Sequence, residues 1–136
     1  MSTDSPNVLG LDAWSVDARR VDKPWGWELI WAETDHYVGK VLFVRAGESL
    51  SLQFHRVKDE AWYVQSGRAK IELGNAGDAV LNEEVVAAPK YFRFEAGTVH
   101  RVTAVEDTTI IEVSTPELDD VIRVEDDYGR EGTSAP

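Results

Sequence analysis

Gly47-Glu48-Ser49-Leu50-Ser51-Leu52-Gln53-Phe54-His55-Arg56-Val57-Lys58-Asp59-Glu60, closed by Gly67, is the stretch that decides how this chain is read. Gln53 and His55 stand two apart, so on a strand both side chains leave the same face. Glu60 follows after a gap long enough for a tight turn and the start of the next strand. An amide oxygen, an imidazole and a carboxylate are thereby directed toward one point. His100, within Glu95-Ala96-Gly97-Thr98-Val99-His100, can add a fourth donor from another strand. Mixed nitrogen and oxygen donors suit a borderline divalent ion better than a soft one.

Outward from that stretch the chain is a succession of short β-type runs, at 26–32, 37–45, 49–55, 60–65, 68–73, 98–105 and 108–114. Turn signals separate them: Ala46-Gly47-Glu48, Ser66-Gly67, Gly74-Asn75-Ala76-Gly77-Asp78 and Ala96-Gly97. With many short strands and no long amphipathic helix, the pattern predicts an all-β antiparallel sandwich or barrel. In Arg68-Ala69-Lys70-Ile71-Glu72-Leu73 apolar residues alternate with charges, so one face is buried and one is wet. Leu50, Leu52 and Phe54 point away from the face that carries Gln53 and His55. That stripe needs its own cover, and a homodimer interface is the expected one.

The length of 136 residues fits one domain, expected over 21–130. Residues 1–20 are polar without a sustained period and read as a flexible or loosely docked N-terminal arm; 131–136 read as a disordered tail. The absence of cysteine excludes a disulfide framework and any thiolate chemistry. No apolar run approaches a membrane span and no signal-peptide pattern opens the chain, so a cytoplasmic protein without a membrane partner is expected. The 14 basic and 25 acidic residues give a formal charge of −11, which argues against a nucleic-acid partner. An acidic protein that binds a phosphate must gather its few cations locally.

These residues resemble the cupins. The first cupin motif, Gly, five residues, His-x-His, three or four residues, Glu, six residues, Gly, is met by Gly47, Gln53, His55, Glu60 and Gly67, with glutamine in place of the first histidine. The second is met by Gly97 and His100, with Glu95 where proline is usual and Ala104 where asparagine is usual. A closer resemblance is to the C-terminal cupin domain of type II mannose-6-phosphate isomerases. It is carried by Lys23-Pro24-Trp25-Gly26, by Leu50 to His55, by Glu60 to Val64, by Gly97 to Arg101, by Ile111 to Val113 and by Glu125 to Arg130. The set is ordered and covers roughly 21–130. Arg56-Val57 and Ala61 depart from the histidines usual at those places. The nucleotidyltransferase domain usually fused in front of this cupin does not appear, so a nucleotide substrate is not expected.

The resemblance implies a single-domain cupin, an antiparallel jelly-roll barrel holding one divalent metal on Gln53, His55, Glu60 and His100. Zinc is the first candidate, with Mn, Co, Ni or Fe as alternatives. It also implies a sugar-phosphate isomerase of the mannose-6-phosphate type, working on a small-molecule sugar phosphate through an enediol. Such chemistry needs a metal to hold substrate oxygens, a base to move a proton between adjacent carbons and a cation for the phosphate. Glu112, alone among Thr109-Ile110-Ile111 and Val113, is the candidate for proton transfer or for binding a substrate hydroxyl. Lys40 and Arg130 are the candidate cations, ahead of Arg45 and of Arg101, which faces away from the metal on a regular strand. Trp25, Trp62 and Tyr63 can stack on a sugar or simply pack the barrel. His36 sits in a turn and has no assigned role. Two other readings stand beside the isomerase: a non-catalytic metal-containing sugar or metabolite binder, and an Fe-dependent cupin dioxygenase, against which Gln53 weighs.

Overall fold

Strands with one apolar and one polar face become stable when two sheets bury their apolar faces against each other. The computed structural model describes residues 17–131 and arranges them in this way. Eleven strands are present: β1 (Arg19–Lys23), β2 (Gly26–Glu33), β3 (Val38–Val44), β4 (Leu52–Phe54), β5 (Glu60–Ser66), β6 (Arg68–Asn75), β7 (Asn82–Ala87), β8 (Lys90–Phe94), β9 (Thr98–Ala104), β10 (Thr108–Ser114) and β11 (Ile122–Glu125). One sheet has the order β1-β2-β3-β10-β5-β8 and the other β11-β4-β9-β6-β7. All pairings are antiparallel, and no helix occurs among the described residues. This is the all-β jelly roll expected from the pattern of short runs.

The strands not foreseen are β1, β7, β8 and β11. Their patterns explain why: β7 has Val86 as its one buried residue, β8 buries only Phe94, and β11 spans four residues. β1 is largely exposed and begins at Arg19, inside the segment expected to be an arm. The rest of that arm before residue 17, and the tail after residue 131, lie outside the described residues.

The inward faces are divided along their length. On β3, Val44 and Leu42 are followed by Lys40; on β10, Ile110 by Glu112; on β5, Val64 and Trp62 by Glu60; on β9, Val102 by His100. One half of the interior is therefore apolar, with Leu42, Val44, Trp62, Val64, Ile71, Phe94, Val102 and Ile110 in a single cluster. Each large side chain buried there contributes about 1.5–3 kcal/mol. That half holds the sheets together while the other half carries a layer of buried charge. Gly67, in the turn from β5 to β6, has φ +97°, and a Cβ there would meet the Asp107 carbonyl at 2.3 Å. Only glycine meets both demands.

One expectation is corrected at the segment before β4. Leu50 does not share an exposed stripe with Leu52 and Phe54. The regular alternation breaks at Leu50-Ser51, outside any strand, so Leu50 joins the core cluster at 7% exposure. Leu52 is also buried, at 6%. The exposed apolar surface lies instead on the outer face of the six-stranded sheet, where Trp31, Tyr63, Tyr91 and Val113 are 51%, 42%, 65% and 50% exposed. Tyr63 therefore points away from the cavity and cannot stack on a sugar inside it.

Candidate metal centre

His55 follows β4, Glu60 opens β5 and His100 lies on β9, so both sheets contribute to one point inside the barrel. The three side chains are 2%, 3% and 1% exposed, and one donor atom from each lies within 4.8 Å of the others. The ring orientations follow from their other nitrogens. His55 Nδ1 donates to the Asp120 carbonyl and His100 Nδ1 donates to the Thr98 carbonyl at 2.9 Å. A carbonyl only accepts, so each Nδ1 carries a proton, and Nε2 is the nitrogen that each ring turns inward. His55 Nε2 touches Glu60 Oε2, and His100 Nε2 lies 3.8 Å from the same oxygen. None of these three buried atoms has a hydrogen-bond partner. Three convergent, buried and unsatisfied donors are what a divalent cation requires.

Electrostatics favour the same protonation states. Burial works against the Glu60 charge, but its contact with His55 and the nearby Lys58 ammonium hold its carboxyl well below the usual carboxylate range. Burial pushes the His100 imidazole down, toward the neutral form that can ligate a metal. The loop between β10 and β11 fixes His55 from behind. The Asp120 carboxylate accepts the backbone N–H groups of Arg56, Val57 and Lys58 at 3.0, 2.7 and 2.9 Å, while its own carbonyl takes His55 Nδ1. Those hydrogen bonds outweigh the desolvation of Asp120 and lower its pKa.

A second set of charges adjoins the first. Lys58, 4% exposed, places Nζ 3.8 Å from Glu60 Oε2 and 3.4 Å from Glu112 Oε2. The Trp62 indole N–H bridges the same two carboxylates, at 2.6 Å to Glu60 Oε1 and 3.1 Å to Glu112 Oε1. Burial, then the charge of Glu60, raises the Glu112 pKa. Burial disfavours the Lys58 charge, but the two glutamates reverse the sign and raise its pKa. Glu112 Oε2 has no hydrogen bond, only the ion-pair contact with Lys58.

His55, Lys58, Glu60, Trp62 and Glu112 open on one cavity of about 60 Å³, also lined by Lys23, Trp25, Glu28, Lys40, Gln53 and Arg123 among others. Lys40 Nζ bonds to Glu28 at 3.3 and 3.4 Å. Arg130 lines the cavity while its guanidinium forks onto Asp126, with two contacts of 2.9 Å. Five of the chain's 14 basic residues thus face this one cavity.

Of the seven site residues named from the sequence, all line this cavity except His100, whose Nε2 lies 3.8 Å from Glu60 Oε2. Gln53 is the register partner of His100 on the neighbouring strand, and its Nε2 makes one long contact, 3.5 Å to the Ser51 carbonyl. Trp25 and Trp62 line the cavity too. Arg45 lies on the surface, bonded to the Pro24 carbonyl, and His36 is exposed. Arg101 is turned outward onto Glu72 and Glu125. Sequence reasoning missed Lys58, Glu28, Arg123, Lys23 and Asp120. The signal that pointed to Glu112, a single charge between apolar neighbours, is also present at Glu28 between Trp27 and Leu29 and at Arg123 between Ile122 and Val124. Asp120 offered no such signal, because it lies in an acidic loop.

An antiparallel two-sheet jelly roll with inward His, Glu and His on facing strands is a cupin. The likeness to solved structures agrees. The capsular polysaccharide assembling protein CapF of Staphylococcus aureus superposes with a TM-score of 0.71 over 85% of this chain and 34% of that one, at 18% identity. Bacillus subtilis oxalate decarboxylase, described with Mn(II) centres, superposes with a TM-score of 0.66 over 78% of this chain and 30% of that one, at 17% identity. The chain belongs to the mannose-6-phosphate isomerase C-terminal family, whose model matches residues 13–126. Among curated relatives, mannose-1-phosphate guanylyltransferase 2 of Escherichia coli O157:H7 is 31% identical over 119 residues, 85% of this chain. The match spans 24% of that protein, so the chain corresponds to about a quarter of its relative's length. No helix among the described residues is long and apolar enough to cross a membrane.

Proposed function

We propose that this cupin is a metal-dependent sugar-phosphate isomerase of the mannose-6-phosphate type, interconverting an aldose and a ketose phosphate through an enediol. The observation that carries this reading is a cluster of three unsatisfied metal-type donors adjoining a cavity that also holds an unsatisfied carboxylate oxygen on Glu112 and a group of cations. In this reading His55, Glu60 and His100 hold one divalent ion and Gln53 adds its amide oxygen. Zinc suits the nitrogen and oxygen donors, and Mn, Co, Ni or Fe are compatible with them. When bound, the ion supplies Lewis-acid polarisation of the substrate's carbonyl and hydroxyl oxygens.

The chain's own residues supply the rest. Glu112 removes the proton from C2 of the open-chain aldose and returns it to C1, so one C–H bond breaks and one forms. Lys58, held between Glu60 and Glu112, carries the hydroxyl proton from O2 to O1 and stabilises the charge that develops on those oxygens. Trp62 fixes both glutamates and closes the wall behind them. Lys40 and Arg130 attract the phosphate. A coupled assay on mannose 6-phosphate, run with Zn²⁺, Mn²⁺, Co²⁺, Ni²⁺ and Fe²⁺, tests this. Turnover with at least one metal is expected, and none with any of them rejects the isomerase.

One observation favours a second reading, a metal-containing sugar or metabolite binder without turnover. The cavity is small, about 60 Å³, and much of its polar lining is already engaged in ion pairs. Binding of a sugar phosphate by calorimetry with no turnover would select it. A homodimer belongs to either reading. The outer face of the six-stranded sheet sets Trp27, Leu29, Trp31, Phe43, Ile111 and Tyr63 on neighbouring positions, with the Arg20 guanidinium over the Trp27 ring at one edge, in a chain of formal charge −11. A second copy packed sheet to sheet covers such a surface.

A further inference from the structure

Four hydroxyl side chains are buried among the described residues, those of Ser49, Ser51, Thr108 and Ser114. Three of them are satisfied by backbone carbonyls. Ser49 Oγ lies 3.0 and 3.2 Å from the carbonyls of Leu50 and Val102, Thr108 Oγ1 donates to that of Glu106 at 2.8 Å, and Ser114 Oγ donates to that of Thr115 at 2.9 Å. Ser51 differs from all three. It is 1% exposed, and its Oγ has no hydrogen-bond partner. It is also the one hydroxyl residue, among the described residues, that lines the cavity.

The surroundings of Ser51 limit what that hydroxyl can meet. The chain changes face at Leu50-Ser51, so Leu50 enters the core while Ser51 lines the cavity. Leu42, Leu50 and Trp25 belong to the core cluster and line the same cavity, which places Ser51 at the boundary between the apolar and the charged halves of the interior. The Ser51 carbonyl takes the long 3.5 Å contact from Gln53 Nε2, which leaves Oγ unengaged. A hydroxyl beside apolar walls is costly unless it is hydrogen-bonded, and alanine would fill the same space without that cost. Those walls also make a charged group expensive there, whereas a neutral CH–OH unit suits both the walls and an O–H that donates and accepts.

We propose that Ser51 is a specificity residue whose hydroxyl hydrogen-bonds a neutral hydroxyl on the carbon chain of the bound ligand. The adjacent C–H groups of that chain lie against the boundary formed by Leu42 and Leu50. Gln53 lines the cavity two residues further on, about 7 Å along an extended chain. Ser51 therefore reads a hydroxyl beyond the two reacting carbons. A ligand without that hydroxyl leaves Ser51 buried and unpaired, which is how such a site rejects a deoxy analogue. That the ligand is a polyol chain rests on the sugar-phosphate reading; that Ser51 contacts a ligand rests on its own orphaned hydroxyl.

The test is a cycle between protein and ligand, read by calorimetry on zinc-loaded protein. The probes are a hexitol 6-phosphate, which has no carbonyl to isomerise, and its analogues lacking the C3, C4 or C5 hydroxyl. In the wild type, one analogue is expected to bind about tenfold more weakly than the parent. Ser51→Ala is expected to bind the parent and that analogue equally, with a urea midpoint at or above that of the wild type, since no native hydrogen bond is lost. Ser51→Cys, which keeps the size of the side chain, gives the same comparison with a weak donor. A wild type that binds no probe or binds all of them equally overturns the contact, as does a Ser51→Ala protein that discriminates as the wild type does. Equal weakening of every probe with a lowered urea midpoint also overturns it, because that is the mark of a structural hydroxyl. The two proposals fail separately. Turnover of mannose 6-phosphate by a wild type that shows no coupled analogue rejects the contact and keeps the isomerase. A coupled analogue without turnover under any metal keeps the contact and rejects the isomerase.

Discussion

Asp120→Ala separates the support of the metal centre from its donors. The substitution leaves the backbone carbonyl that accepts His55 Nδ1 but removes the carboxylate that accepts the N–H groups of Arg56, Val57 and Lys58. Hydrogen bonds to a charged group contribute about 1.5–3 kcal/mol each. Arg56 and Val57 are exposed, so water replaces much of what they lose. Lys58 is buried and its N–H has less access to water. The expected cost is therefore about 2–4 kcal/mol in total, below a simple sum of three. For a chain of this size that is a fall of about 6–15 °C in Tm. The freed loop also loosens the carbonyl that orients His55, so metal affinity is expected to fall about 10–100-fold, as for other partners that orient ligands. Urea unfolding and zinc titration measure the two effects. A variant within about 0.5 kcal/mol of wild type, with undiminished zinc affinity, would refute the claim that this loop positions the site.

Glu112→Gln keeps the shape of the cavity and removes the base; turnover of mannose 6-phosphate is expected to fall about 10²–10⁴-fold with metal content unchanged, and wild-type activity would exclude Glu112 from the proton transfer. Asp126 is held below its ordinary value of 3.8 by hydrogen bonding to Arg130. Its contribution is therefore complete above about pH 3.8 and lost as pH falls through the lower folded-state value. Asp126→Asn should cost roughly 1.5–3 kcal/mol at pH 7 in urea unfolding, and the gap to wild type should close on acidification. A gap that stays constant with pH contradicts that assignment. In sedimentation equilibrium the wild type is expected at dimer mass and Val113→Glu, at the exposed outer face, as a monomer; a monomeric wild type removes the proposed interface.

The legible part of the fold was the part with period-two alternation. The strands at 26–33, 60–66, 68–75 and 108–114 each carry a clear apolar face, and their bounds fall within two residues of the expected runs. Strands β1, β7 and β8 lie at or next to sheet edges and bury few residues, so nothing in their composition distinguishes them from loops. The segment at 49–55 was read as one strand because its alternation is unbroken on paper. The chain changes face at Leu50-Ser51, which pattern alone does not reveal. Within the site, His55, Glu60 and His100 were legible from spacing and motif. Lys58 was not, since a lysine in a polar loop looks like surface until Glu60 and Glu112 are seen on either side of it. Asp120 and Arg123 reach the site only through the return of the chain from β10 to β11, a long-range pairing that no local pattern encodes.

The claim on which everything else rests is that His55, Glu60 and His100 hold one divalent ion. The direct measurement is zinc titration by calorimetry, with metal content by mass spectrometry, on chelator-treated wild type, His55→Ala and His100→Ala. One ion per chain is expected in the wild type, with affinity at least about 100-fold weaker in each variant. A wild type that takes up no ion, or variants that bind it as tightly as the wild type, would contradict the assignment of the site.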